Sequence, residues 1–106
     1  MSDKDGQARR IVVGMGQTGL SCARFLARKG LDFAVVDSRA EPPLAAGFRA
    51  AFPQAELRTG DFDAEFLAAA GELILSPGVD PALPAIRAAR AAGARVLGDI
   101  ELFARE

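Results

Sequence analysis

A short apolar run, Ile11-Val12-Val13, leads directly into Gly14-Met15-Gly16-Gln17-Thr18-Gly19, and a helix-like pattern follows. This Gly-x-Gly-x-x-Gly segment confines the chain to a strand–turn–helix, because each glycine has a separate physical task. Gly14 allows the sharp turn, Gly16 lets main chain approach a ligand with no Cβ in between, and Gly19 lets the helix sit close to the sheet. The turn also aims unpaired backbone N–H groups and the positive end of a helix dipole at one point. That arrangement suits a phosphate, so the segment reads as a cradle for a nucleotide or another phosphorylated ligand.

Apolar runs alternate with helical patterns along the rest of the chain. Residues 10–14 read as the first strand and Thr18 to Lys29 as a helix stopped by Gly30. Phe33 to Val36 reads as a second strand with Asp37 just past its end. Pro42 and Pro43 suit a helix start, and Leu44, Phe48 and Phe52 then recur every four residues. Residues 56–58 form a weak third strand. Thr59-Gly60-Asp61 turns into a short helix that points Phe62, Phe66 and Leu67 inward. Leu73 to Leu75 is a fourth strand cut off by Ser76-Pro77-Gly78. Asp80 is expected to cap the next helix, with Pro81 in its first position, Leu83 and Ile86 packed, Arg87 and Arg90 in solvent and Gly93 at its end. Arg95 to Leu97 is a fifth strand, and a last helix runs from Ile100 to Glu106.

Strands that alternate with helices need crossover connections, which imply a parallel sheet with helices on both faces. The expected fold is therefore α/β, a Rossmann-like doubly wound five-stranded parallel sheet in the order 3-2-1-4-5. Its switch point lies between strands 1 and 4, where open α/β sheets bind ligands. The 14–19 turn and the 76–78 turn flank that crevice.

With 106 residues the chain holds one domain, read as residues 9–106 after a flexible tail over 1–8. Its 13 basic and 14 acidic residues leave a net charge of −1, which argues against nucleic-acid or membrane-surface partners that need a basic face. Backbone amides must then do much of the phosphate binding. The single cysteine, Cys22, excludes an internal disulfide and reads as a buried structural thiol. No signal-type or bilayer-length apolar segment is present, so the expected location is cytoplasmic. With no histidine, His-based triads, bases and metal ligands are excluded from this chain. A Gly-x4-Gly-Lys-Ser/Thr loop for an ATP triphosphate is missing too, so no catalytic residue and no metal ligand is assigned.

The candidate ligand contacts that the residues themselves suggest are Gly14, Gly16, Thr18, Gly19, Asp37, Arg39, Pro77 and Gly78. Asp37 follows Gly19 at close to the roughly 20-residue spacing of a ribose-binding carboxylate in dinucleotide folds. It suits a ribose diol, or equally the N3–H of uracil, whose pairing edge runs acceptor–donor–acceptor. It also suits a plain solvated strand end. An acid here repels a 2′-phosphate, so NADP is disfavoured. Arg39 can lay its guanidinium plane on a base or pair with a phosphate. Thr18 can offer its N–H and hydroxyl to a phosphate or cap the helix. The Pro77-Gly78 turn can bring bare main chain against a ligand. Ser76 has no base partner and receives no nucleophilic role.

With these residues in view, the chain resembles the N-terminal domain of the Mur ligases, most closely the branch that adds D-glutamate. Three passages carry the likeness: Gly14 to Ser21, Leu75-Ser76-Pro77-Gly78, and Gly98-Asp99-Ile100-Glu101-Leu102-Phe103-Ala104-Arg105-Glu106. The last is the most specific, since it separates this family from dehydrogenase folds, and the likeness covers nearly all of the chain past residue 8. The resemblance implies a domain that binds the UDP part of UDP-N-acetylmuramoyl-L-alanine. The Gln17 and Thr18 amides would meet the diphosphate with Gly78 close by, while Asp37, Ser38 and Arg39 surround the uracil. It also implies central and C-terminal domains that handle ATP, Mg²⁺ and D-glutamate, with no cofactor held here and no catalysis by this domain alone. Two rivals share the glycine turn: an NAD-binding regulatory or dehydrogenase domain, and an interaction module whose turn is purely structural.

Overall fold

Ile11, Val12 and Val13 have no solvent exposure at all, as a strand must when parallel neighbours flank it and helices cover both faces. They belong to β1 (Arg10–Val13), the centre of a five-stranded sheet in the order β3-β2-β1-β4-β5. The other strands are β2 (Phe33–Asp37), β3 (Glu56–Thr59), β4 (Glu72–Leu75) and β5 (Arg95–Gly98). Every pairing is parallel, so the expected fold and strand order are both present. The computed structural model describes residues 9–105, and the tail expected over 1–8 lies outside them, as does Glu106.

Alternation along the central strands splits the core into two layers, since successive side chains leave opposite faces of the sheet. Ile11, Val13, Ala34, Val36, Leu73 and Leu75 face α3 (Ala64–Ala68) and α4 (Pro84–Ala91) through Leu67, Ile86 and Ala89. Val12, Val35 and Ile74 face the opposite layer: α1 (Gln17–Arg28), α2 (Ala45–Ala51) and α5 (Asp99–Arg105). Cys22, Leu26, Phe48 and Leu102 seal that side. Cys22 is buried as expected, and burial, reinforced by the Asp99 charge, pushes its thiol up to about 11.

Two local expectations need correction. The helix expected to begin at Pro81 begins at Pro84 instead. A residue before proline is driven out of the α region, and Leu83 obeys with φ −57° and ψ 142°. Helix therefore cannot run through Leu83, and the Asp80 carboxylate accepts the Ala82 N–H (2.9 Å) in a separate turn. Thr18 is not a cap either: α1 starts one residue earlier, at Gln17, and its N-cap is Gly16, which supplies no side-chain cap. The short α3 does have one: Asp63 Oδ1 accepts the Glu65 and Phe66 amides at 3.0 and 3.3 Å. Among the described residues, no helix is long and apolar enough to cross a membrane.

Candidate functional site

The register fixes where the candidate residues emerge. Val13 of β1 stands beside Val36 of β2 on one side and Leu75 of β4 on the other. The next residues, Gly14, Asp37 and Ser76, therefore stand at one level, at the carboxyl ends of the strands and across the β1/β4 switch point, with Asp37 still paired to Thr59 of β3. This is the position at which open α/β sheets place ligands.

The glycine turn is held from three sides. Gly14 takes φ 109°, a conformation L side chains rarely adopt, and a Cβ there would press on the Ser76 hydroxyl at 2.8 Å. Its N–H donates to Val36 O at 2.8 Å, and its carbonyl accepts from Ser76 Oγ at 3.3 Å. Ser76 thus ties the end of β4 to the turn, a structural task its sequence setting did not disclose. Gly19 lies so close that a Cβ on it would overlap the Gly14 carbonyl oxygen. Helix and strand end are locked together at that contact. A Cβ on Gly16, in contrast, would meet nothing within 4 Å, so the fold itself makes no steric demand for glycine there.

The first helical bond of α1 runs from Leu20 N to Gly16 O at 2.9 Å. The N–H groups of Gln17, Thr18 and Gly19 precede it, and an α-helix offers its first N–H groups no carbonyl partner. The first turn of α1 carries no acidic side chain and Gly16 supplies no side-chain cap, so nothing in the helix offsets its positive end. Gln17 is exposed and Thr18 half-buried, which leaves this end of the helix accessible.

Asp37 is placed differently from the expectation of an open strand end. It is the last residue of β2 and only 3 % exposed. Oδ2 accepts the Met15 amide at 2.7 Å and Arg39 Nη2 at 2.7 Å. Oδ1 accepts the Arg39 amide at 2.8 Å and Arg39 Nε at 2.9 Å. The Arg39 guanidinium, aided by the two amides, holds this carboxyl at about 2, well below the usual carboxylate range, against the upward push of burial. Asp37 is therefore a carboxylate that fastens the glycine turn to the end of β2. The Gly60 amide pins the same loop from β3, donating to Asp37 O at 2.9 Å and Arg39 O at 3.2 Å. Met15 and Gly60 act here only through backbone N–H groups, which leave no side-chain signal in a sequence.

Ser38 and Arg39 are exposed beside this carboxylate. Pro77 and Gly78 form the exposed centre of a turn closed by Val79 N to Ser76 O at 3.0 Å. The fold thus places the ten candidate residues at the end of β2 and in the three segments that follow β1, β2 and β4, at the carboxyl end of the sheet. What this end of the sheet offers is backbone donors from a helix N-terminus, one anionic acceptor and one half-exposed guanidinium bonded to it.

Residues 8–98 match the family model described as Mur ligase MurD-like, N-terminal domain. The UDP-N-acetylmuramoylalanine--D-glutamate ligase of Pseudomonas aeruginosa is 57% identical over 97 residues, covering 92% of this chain and 22% of that protein. The ligase of the same name from Nitrosococcus oceani is 54% identical over 97 residues, 92% of this chain and 21% of that protein. The chain therefore spans about a fifth of the length of these relatives. Among solved structures, a pseudomurein peptide ligase type C from Methanothermus fervidus superposes with TM-score 0.74 at 23% identity, covering 93% of this chain and 20% of that one. A chorismate mutase/shikimate 5-dehydrogenase fusion from Clostridium acetobutylicum superposes with TM-score 0.54 at 11% identity, covering 89% of this chain and 42% of that one. Both structural likenesses concern the fold alone.

Proposed function

Because the chain belongs to the family of Mur ligase MurD-like N-terminal domains, we propose that it holds the UDP end of UDP-N-acetylmuramoyl-L-alanine for an ATP-dependent ligase that attaches D-glutamate. The observation that carries this reading is the common level that Gly14, Asp37 and Ser76 occupy at the carboxyl ends of β1, β2 and β4. A diphosphate at the start of α1 meets the Gln17 and Thr18 amides and the positive helix end, with the Gly78 main chain across the crevice. Asp37, Ser38 and Arg39 then stand on the β2 side, where a base joined to that diphosphate has a carboxylate acceptor to read.

The chemistry of amide formation is assigned to the other domains of the longer ligase. The residues of this domain do not fit an ATP–Mg²⁺ site. They contain no Gly-x4-Gly-Lys-Ser/Thr loop, and the described residues hold no group of three or more His, Cys, Asp or Glu side chains able to hold a metal. The domain contributes binding and orientation, and by itself it binds without turnover. Substrate held in fixed geometry lowers the entropic part of the barrier for chemistry carried out next to it.

An NMR titration of the ¹⁵N-labelled chain with UDP-N-acetylmuramoyl-L-alanine tests this reading. Shifts centred on Thr18, Asp37 and Gly78 are expected. No shift at these residues at millimolar ligand overturns it, and a response to NAD but not to UDP transfers the site to the dinucleotide reading.

A further inference from the structure

A carboxylate has about four acceptor positions, and at Asp37 four N–H donors already fill them. The four donors are not equivalent. The Met15 and Arg39 amides are main chain, one held by the glycine turn and the other by the Gly60 pin. The remaining two belong to the Arg39 guanidinium, whose side chain is 53% exposed while that of Asp37 is 4% exposed. An arginine on a long exposed stem regains hydration when it leaves, whereas the buried carboxylate has nowhere to go.

We propose that the Arg39 guanidinium is a resident stand-in for the nucleobase, covering the acceptor face of Asp37 until a base bearing an N–H donor takes its place. This rests on the UDP reading above and adds how the base is admitted. The guanidinium withdraws two donors: the imide N–H of a diketo pyrimidine takes one of the two acceptor positions it leaves on Asp37, and water reaches the other once the guanidinium no longer covers it. The Met15 and Arg39 amides stay on Oδ2 and Oδ1 and keep the carboxylate aimed. A base edge with only a lone pair at that point cannot make the exchange, because a carboxylate accepts and does not donate. Arg39 is thereby a specificity-determining residue: it excludes ligands that cannot compete for Asp37. The displaced guanidinium remains tethered two residues away, within reach of the base plane that it vacates. Binding is correspondingly weaker than the same contacts would give on an uncovered Asp37, by the fraction of time the site stands open.

The Arg39 Nε–H resonance reports this exchange directly. It is identified in ¹⁵N spectra of the chain by its loss in Arg39→Lys. In the free protein it is expected at low field with slow solvent exchange. At saturating UDP it should move to the position of a solvent-exposed arginine, while the Met15 amide keeps its low-field shift. If the Thr18 and Gly78 amides respond to UDP but Arg39 Nε–H keeps its shift and protection, the exchange is overturned and the UDP reading stands. If no amide responds at millimolar UDP, the binding reading falls and the exchange falls with it.

Discussion

A Cβ added to Gly19 would run into the carbonyl oxygen of Gly14, so helix α1 and the end of β1 meet backbone to backbone at that point. Neither side can yield without breaking the turn or shifting the helix. Gly19→Ala is expected to destabilise the chain by about 3 kcal/mol, the upper end of overpacking costs. Gly16→Ala meets open space, and at a helix N-cap alanine costs about 1 kcal/mol or less relative to glycine. Urea midpoints of the two variants separate these outcomes. UDP affinity should instead fall for Gly16→Ala, since there the open space is what the ligand needs. Equal stability of the two variants contradicts the packing argument.

Acid should weaken the fold through Asp37. Its carboxyl sits at about 2 in the folded chain against 3.8 for the free group, chiefly because of the Arg39 guanidinium. A depressed folded value means the native state favours the carboxylate, so the contribution is full above the unfolded value and fades as pH falls from about 4 through 2. At neutral pH it amounts to about 2 kcal/mol. Asp37→Asn should be less stable than the parent at pH 7 and converge on it near pH 2. Parallel stability curves for the two proteins across pH 2–6 contradict this assignment.

How much of this was legible in sequence follows from which atoms carry each feature. The parallel sheet came from apolar runs and crossover logic, both properties of side-chain patterns. The helix start read at Pro81 moves to Pro84 because the pre-proline restriction holds Leu83 out of the helix. Asp37 was readable as a carboxylate near the site, but its partners were not. Met15 contributes an amide and Arg39 a side-chain rotamer, and neither can be inferred from residue identity. The task of Ser76 was equally hidden, since it depends on β4 lying next to β1 rather than on any local motif.

Cys22 should be inert in the folded chain. It is 1% exposed on the buried face of α1, and with its thiol pushed up to about 11 the thiolate fraction at pH 8 is about one in a thousand. Alkylation by iodoacetamide should be negligible over hours in buffer and complete within minutes in denaturing urea. A native-state rate comparable to that of a free thiol would show that the α1/α5 layer opens readily.

Selectivity between pyrimidines follows from the charge state of Asp37. The Met15 and Arg39 amides still donate to its oxygens when the guanidinium leaves and favour the carboxylate form, so Asp37 meets a base as an acceptor and offers it no proton. Uracil presents an N–H at the centre of its pairing edge, whereas cytosine presents a lone pair there. UDP should therefore bind more tightly than CDP by about 1–3 kcal/mol, the scale of a polar group left unpaired on desolvation. Asp37→Ala should weaken UDP by a similar amount, about 1–3 kcal/mol, and erase most of the preference over CDP. Calorimetric titrations of both nucleotides into the parent and the variant, at a temperature where each is folded, give all four affinities. A variant that loses UDP affinity but keeps its preference would place base reading elsewhere, and Asp37 would then serve the site only by anchoring Met15.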